Sequence, residues 1–158
     1  MVAVPSTMLP LGTKVPPFTL VNAVDGTKVS PADFRDRKAL LVMFICNHCP
    51  YVKHVIQEIG RVAADYQPKG LGVIAINAND VTAHPDDAPE HMQALARSEG
   101  WAFPFVFDET QEVARAFRAA CTPDFFVFDR DRRLVYRGQL DDSRPKKDVP
   151  VTGRDLRA

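Results

Sequence analysis

Two continuous apolar runs dominate the pattern of hydrophobic and polar positions along the chain. Ala39 to Ile45 and Val73 to Ile76 contain no charged residue, and such runs are typical of strands buried on both faces of a sheet. Between them, Val52 to Tyr66 carries an apolar residue at every third or fourth position, which predicts an amphipathic helix. The three segments together predict a strand–helix–strand unit with a parallel crossover.

Weaker patterns predict the remaining elements. Phe18–Val21 alternates ahead of Asp25-Gly26, a pair that favours a β-hairpin turn. Lys69 to Gly72 is interpreted as a turn after the first helix. The other predicted elements are a helix from about Asp87 to Gly100, an extended segment at Phe103–Phe107, a helix carrying Val113, Ala114 and Phe117 that Asp108 or Thr110 can cap, and closing strands at Phe125–Phe128 and Leu134–Tyr136. This order of elements predicts an α/β fold.

Length and composition favour one domain spanning residues 1–158. The chain has 158 residues, 46% of them hydrophobic, enough for one core and too few for a second. Residues 1–16 are interpreted as an N-terminal arm, and the polar residues 141–153 as a surface loop. Residues 153–156 resemble the start of a further helix that the end of the sequence cuts short.

The charge balance argues against two classes of partner. The 20 basic and 20 acidic side chains cancel, whereas nucleic acids and anionic membranes are bound by basic faces. The N-terminus lacks a basic start, and no apolar run approaches the roughly 20 residues that span a bilayer. A cytoplasmic protein that binds neither nucleic acid nor membrane is therefore expected. In that compartment a close cysteine pair is more often catalytic or metal-binding than structural.

The most informative segment is Cys46-Asn47-His48-Cys49, a C-x-x-C motif between the predicted strand and the first helix. The start of a helix offers unpaired amide hydrogens and a partial positive charge, which stabilise a thiolate. Cys46, at the strand end, is the predicted attacking thiol, and Cys49, one turn later, is the predicted second thiol. Such a pair can open and close reversibly, as disulfide exchange requires.

His48 strengthens this interpretation. A protonated imidazole close to a thiol lowers the thiol's pKa and favours the reduced form of the pair. Pro50 fits the first helical turn, where a missing backbone N–H does no harm. The motif therefore predicts a thiol–disulfide oxidoreductase.

Around these residues the sequence resembles the thioredoxin-like superfamily and, within it, the peroxiredoxin-like branch of the AhpC/TSA (redoxin) family. The matching segments are FICNHCPYVKH, INANDV, FPFVFDETQEVARAF, TPDFFVFD and YRGQLDD, and the resemblance extends over residues 15–157. It implies a thioredoxin-like fold, with a central mixed β-sheet flanked by helices and an N-terminal β-hairpin extension. It also implies a cis peptide at Thr122–Pro123 beside the cysteines, with the Thr122 backbone holding an extended thiol substrate.

The expected partners are a disulfide-containing protein or a small thiol or disulfide, together with a reductase or thiol donor. Asn47, Thr122 and Pro123 are the candidate substrate-binding residues. No cofactor and no metal are predicted. Relatives in the family continue past Ala158 with a helix and a tail that often holds another cysteine.

Two departures from thioredoxins affect the predicted site. Ile45 stands where thioredoxins carry a tryptophan, and Leu40 stands where they carry a buried acid. The group that accepts the Cys49 proton is therefore unassigned, and His48 and water are the candidates. Cys121 precedes Thr122 and is interpreted as a small buried apolar residue, or alternatively as a third thiol that traps intermediates.

A thiol peroxidase is the nearest alternative function. The peroxidatic motif of peroxiredoxins is P-x-x-x-[ST]-x-x-C. Counted back from Cys49, the proline and hydroxyl positions hold Val42 and Cys46; counted back from Cys46, they hold Ala39 and Met43. Neither register fits the motif.

Two further alternative functions, a zinc site and a binding module, do not involve disulfide exchange. Cys46, His48, Cys49 and Cys121 offer the nitrogen and sulfur ligands that Zn²⁺ prefers, but adjacent residues rarely both face one ion. A binding module without catalysis is the other alternative, because a fold does not dictate a function.

Overall fold

The apolar runs of the sequence form the centre of a seven-stranded sheet. The computed structural model describes residues 10–45, 50–78, 89–117 and 124–138. The strands are β1 (Leu20–Asn22), β2 (Lys28–Val29), β3 (Ala39–Phe44), β4 (Leu71–Asn77), β5 (Phe105–Phe107), β6 (Asp124–Phe128) and β7 (Leu134–Gly138). The helices are α1 (Pro50–Tyr66), α2 (Pro89–Ser98) and α3 (Glu112–Ala116), with short 3₁₀ helices at Pro31–Phe34 and Gln67–Lys69. The first part of the predicted arm, the predicted loop 141–153 and the predicted final helix lie outside these ranges.

The strand order is β2-β1-β5-β4-β3-β6-β7. β3, β4 and β5 are parallel neighbours, connected by crossovers that contain α1 and α2. β6, β7 and the N-terminal hairpin add antiparallel pairs on the two sides. The predicted α/β class, the mixed sheet and the N-terminal hairpin are therefore confirmed. The segment predicted only as extended is strand β5, which lies between β1 and β4.

Two apolar clusters cover the two faces of the sheet. The first, under α1 and α2, includes Leu41, Met43, Ile59 and Met92. The second, on the face covered by α3, contains the buried aromatic residues Phe18, Phe44, Phe117, Phe126 and Phe128. β3 supplies alternate residues to both clusters, which explains its uninterrupted apolar sequence. None of the helices in the described ranges is long and apolar enough to cross a membrane.

The end of the predicted N-terminal arm is bound to the start of β7. The Gly12 N–H donates to the Leu134 carbonyl at 2.8 Å, and the Leu134 N–H donates to the Thr13 carbonyl at 2.8 Å. The Val15 N–H adds a bond to the Arg132 carbonyl at 2.9 Å. This part of the arm is therefore attached to the sheet by backbone hydrogen bonds.

The prediction of a turn at Lys69 to Gly72 is correct only for its first half. Gly70 adopts a left-handed conformation with φ of 102°, whereas Leu71 and Gly72 lie in β4. The ring of Phe34 packs directly on Gly72, where a Cβ atom would lie 2.8 Å from the ring carbon Cδ1. The glycine thus serves close packing between a helical turn and a strand.

Gly72→Ala is expected to lower the free energy of unfolding by about 1–3 kcal/mol, because the added methyl group overpacks a filled contact. Urea denaturation would measure this loss. Gly60→Ala in α1 is the matched control, since its Cβ would lie 3.4 Å from Trp101, an ordinary packing distance. The double variant with Phe34→Ala should recover part of the loss. A Gly72→Ala protein as stable as the wild type would contradict the close contact.

Candidate functional site

The residues predicted to carry the chemistry lie outside the described ranges. They are Cys46, Asn47, His48 and Cys49 in one segment, and Cys121, Thr122 and Pro123 in another. Their roles, the cis peptide and the zinc alternative stay predictions. The structure describes the elements that flank both segments, and these define where the candidate site is anchored.

The first segment connects the end of β3 to the start of α1. Ile45 is fully buried, and its N–H donates to the Ile76 carbonyl of β4 at 2.9 Å. α1 begins at Pro50 and continues for 17 residues. The predicted strand before the motif and the predicted helix after it are both confirmed. The four motif residues therefore join a rigid central strand to a helix N-terminus.

The second segment ends at the same edge of the sheet. β6 begins at Asp124, which pairs with Phe44 in the antiparallel ladder between β6 and β3. Opposite Cα atoms in such a ladder are about 5 Å apart. Pro123 directly precedes Asp124 in the sequence, and Cys46 follows Phe44 by two residues. The two predicted parts of the site are thus attached to paired positions of neighbouring strands.

An aromatic cluster forms the base of this edge. The Phe44 ring lies 5.3 Å from the Phe117 ring and 5.8 Å from the Phe126 ring, both edge to face. Phe117 also contacts Phe126 at 5.4 Å, and Phe18 and Phe128 at 5.9 Å each. Edge-to-face contacts of this kind favour one arrangement of the rings. The residues that flank the candidate site therefore have little room to shift.

One buried carboxylate lies at this edge and was not singled out from the sequence. Asp124 is only 1% exposed, although aspartate is rarely buried to this degree. It shares its sheet face with Phe44 and Phe126, because alternate strand residues point the same way. The sequence feature that could have indicated its burial is its position directly before the apolar run Phe125–Phe128. An aspartate after a proline suggests a turn, so the pattern alone does not indicate burial.

One half-buried cation and one cavity lie away from the end of β3 that leads into the candidate site. Arg137 of β7 pairs with Phe126 and has a buried Nε atom, so it lies one strand further out. A cavity of about 240 Å³ is lined by Lys38, Tyr66, Lys69 and other residues. It opens at the start of β3 and the end of α1, opposite to the end of β3 that precedes Cys46.

Comparison with known proteins gives consistent matches. The profile of the Redoxin family matches residues 10–156. A Mycobacterium tuberculosis protein named "putative peroxiredoxin" is 30% identical over 142 residues, covering 82% of this chain and 85% of the relative. A crystal structure of a protein from Geobacillus kaustophilus is 56% identical, with a TM-score of 0.96, covering 100% of this chain and 84% of that one.

A more distant structure bears on the fold alone. The thioredoxin domain of a thiol-disulfide oxidoreductase from Bacteroides vulgatus superposes with a TM-score of 0.70 at 17% identity, covering 84% of this chain and 90% of that domain. The thioredoxin-like fold implied by the sequence is confirmed by this match. The family profile, which matches most of the chain, establishes that the chain belongs to the Redoxin family.

Proposed function

We propose that the protein is a thiol–disulfide oxidoreductase that uses Cys46 and Cys49 to exchange disulfides with a protein or small-thiol partner. One observation carries the proposal: the C-x-x-C motif connects the buried end of β3 to the N-terminus of α1. A thiol at such a junction is close to the unpaired amides and the positive end of a helix dipole. This environment favours the thiolate, which is the reactive species in exchange.

In the reducing direction, the reaction transfers two electrons from the cysteine pair to the substrate; in the oxidising direction the same steps run in reverse. The Cys46 thiolate attacks one sulfur of a substrate disulfide; the substrate's S–S bond breaks, a mixed disulfide forms, and the other substrate sulfur leaves as a thiolate that takes a proton. Cys49 then loses its proton and attacks the Cys46 sulfur. The Cys46–Cys49 bond forms, the mixed disulfide breaks, and the departing substrate sulfur takes a proton. A reductase or a thiol donor restores the dithiol form. Cycling of this kind suits a cytoplasmic protein, where thiols are kept reduced.

The segment before Asp124 supplies the proposed substrate contacts. Thr122 and Pro123 lead into β6 beside the end of β3. The Thr122 backbone would pair with an extended substrate, and Asn47 would contact it from the motif. Main-chain hydrogen bonds bind an extended peptide without regard to its side chains, which suits such a contact.

A thiol peroxidase is the second candidate, favoured by the name of the relative from M. tuberculosis. The described residues argue against the usual peroxidatic arrangement. Val42 and Met43, two of the positions where the motif would require a proline or hydroxyl, lie within β3 and are at most 1% exposed. They pack inside the two core clusters, where they cannot organise a peroxide pocket.

The deciding experiment is a redox titration of the cysteine pair against glutathione buffers, with free thiols trapped by alkylation. We expect one two-electron transition at a potential between about −280 and −120 mV. The position within that range indicates whether the protein mainly reduces or mainly oxidises its partner. Failure to form the Cys46–Cys49 disulfide would overturn the proposal.

Hydrogen peroxide consumption by the reduced protein separates the two candidates. Exchange activity with slow peroxide turnover supports the oxidoreductase, whereas fast peroxide turnover supports the peroxidase. A disulfide that forms but reduces no substrate would instead favour a binding module.

A further inference from the structure

We propose that the cavity between the start of β3 and the end of α1 binds a small amphipathic anion, namely a carboxylate that carries one ring or a short apolar chain. The cavity has a volume of about 240 Å³. It lies at the end of β3 opposite to the one that leads into Cys46. The proposed site is therefore separate from the candidate thiol site, and it does not depend on the proposed function.

The interior of the cavity is apolar and large enough for a ring. Its apolar lining residues are Ala39, Leu41, Val62, Leu71 and Val127. Leu41 is 2% exposed and Val62 3% exposed, so these two side chains lie at the inner end. An apolar cavity of about 150 Å³ is enough to bind benzene inside a protein. The larger volume here therefore accommodates a ring together with a short side chain.

Two lysines lie at the opening of the cavity. Lys38 and Lys69 both line it and are both exposed, in contrast to the buried residues at the inner end. The Lys69 Nζ atom lies 5.4 Å from the centre of the Tyr66 ring, which also lines the cavity. A lysine can pack its carbon chain on apolar surface while its ammonium group stays in water. This arrangement places a positive charge beside the wall of the cavity.

The second lysine is positioned by the turn that precedes β4. The Lys38 N–H donates to the Gly70 carbonyl at 2.8 Å. The Cγ and Cδ atoms of Lys38 pack on Gly70, each 3.0 Å from the place where a Cβ atom of that glycine would lie. The carbon chain of Lys38 is thus held against the rim, so that its charge is also at the opening.

The charge of the lining determines the class of ligand. Among the described residues that line the cavity there are two lysines and no aspartate or glutamate, although the chain as a whole is neutral. Two positive charges repel a cationic ligand, and an inorganic anion would leave the apolar interior unfilled. A carboxylate with an apolar group matches both the opening and the interior, as is usual for small-molecule sites that combine apolar walls with a few polar groups.

The test is a titration of the protein with 3-phenylpropionate, followed by NMR of isotope-labelled leucine and valine methyl groups. We expect saturable shifts of the Leu41, Val62 and Val127 methyl signals, with a dissociation constant of about 1 mM or below. Propionate, which lacks the ring, should bind at least about tenfold more weakly, because it buries less apolar surface.

The amide of the same acid tests the role of charge. At low ionic strength 3-phenylpropionate should bind at least about threefold more tightly than 3-phenylpropionamide, because exposed lysines contribute modestly to ion pairing. Added salt should reduce this preference, since it screens charges at an exposed opening. Equal affinities for the acid and the amide at low salt would overturn the inference.

Substitution of the lysines tests which charges are responsible. Lys38→Gln and Lys69→Gln should each weaken binding of the carboxylate by about two- to fivefold and leave binding of the amide unchanged. Lys28→Gln is the matched control, because Lys28 is exposed in the edge strand β2, four strands from β3. If both lysine variants bind the carboxylate as tightly as the Lys28→Gln protein, the inference is wrong.

A filled cavity tests the location of the site. Val127→Phe places a larger side chain in the interior and should abolish the saturable shifts, whereas Val135→Phe makes the same change at a residue that is 51% exposed and should leave them intact. The lysine variants change only exposed side chains and keep the inference testable if Val127→Phe does not fold. Wild-type protein that shows no saturable shift, or shifts only in methyl groups remote from the cavity, would contradict the proposed site.

Discussion

Cys46→Ser is expected to abolish disulfide exchange, lowering turnover of a model protein disulfide by at least about a thousandfold, or about 4 kcal/mol of barrier. A serine hydroxyl at this position does not ionise near neutral pH and cannot form a disulfide. Cys49→Ser should behave differently, because the first attack remains possible and its product cannot be resolved. Mass spectrometry should then find the substrate linked to Cys46.

The two variants test the order of attack as well as the activity. Both should keep the wild-type circular dichroism spectrum and denaturation midpoint, since the substitution changes one atom. Accumulation of a mixed disulfide in Cys46→Ser, with none in Cys49→Ser, would reverse the assigned roles. Full turnover in both variants would show that neither thiol is needed and would remove the basis of the proposal.

Phe117→Ala is expected to have the largest effect on stability, lowering the free energy of unfolding by about 3–5 kcal/mol. Its side chain is fully buried and contacts four other rings: Phe18, Phe44, Phe126 and Phe128. Removal of the ring leaves a cavity that the surroundings can fill only partly, because three of the other rings, those of Phe44, Phe126 and Phe128, are held by β3 and β6. Urea or thermal denaturation would measure the loss.

Two variants separate the contributions to this loss. Phe117→Leu retains most of the apolar volume, so it should lower the free energy of unfolding clearly less than Phe117→Ala does. The remaining difference between Phe117→Leu and the wild type measures the contribution of the ring contacts. Val135→Ala in β7 is the surface control, because Val135 is 51% exposed and should change stability by less than about 0.5 kcal/mol. An alanine variant no less stable than the leucine variant would contradict the packing around Phe117.

Much of the fold can be predicted from the sequence, because the central elements have strong local patterns. β3 and β4 are buried on both faces and are therefore apolar except for Asn77 at the end of β4, and α1 is a 17-residue helix with an amphipathic sequence. The hairpin of β1 and β2 is marked by its turn at Asp25-Gly26, where Gly26 adopts φ of 78°. In each case one short segment contains the whole signal, so no knowledge of distant residues is needed.

The features that could not be predicted depend on residues far apart in the sequence. Gly72 looks like a turn glycine until Phe34 is placed against it. Asp124 looks like a turn residue until β6 is paired with β3. The position of the C-x-x-C motif at a strand–helix junction was predictable, because strand, motif and helix follow one another directly. The pairing of β6 with β3, which brings the start of β6 to the end of β3, is a tertiary contact. The prediction that Thr122 and Pro123 lie beside the motif required the resemblance to a family.

The hydrogen bonds between the N-terminal arm and the start of β7 have a consequence for self-association. An edge strand with free amides and carbonyls can recruit a strand from another molecule and begin aggregation. At one edge of this sheet, β2 is only two residues long and carries the exposed Lys28. At the other, Leu134 already gives and receives bonds with Gly12 and Thr13. Among the described strands, β2 is therefore too short to pair stably with a strand of another molecule, and the start of β7 is already bonded to the N-terminal arm. Growth of an intermolecular sheet is disfavoured at both edges.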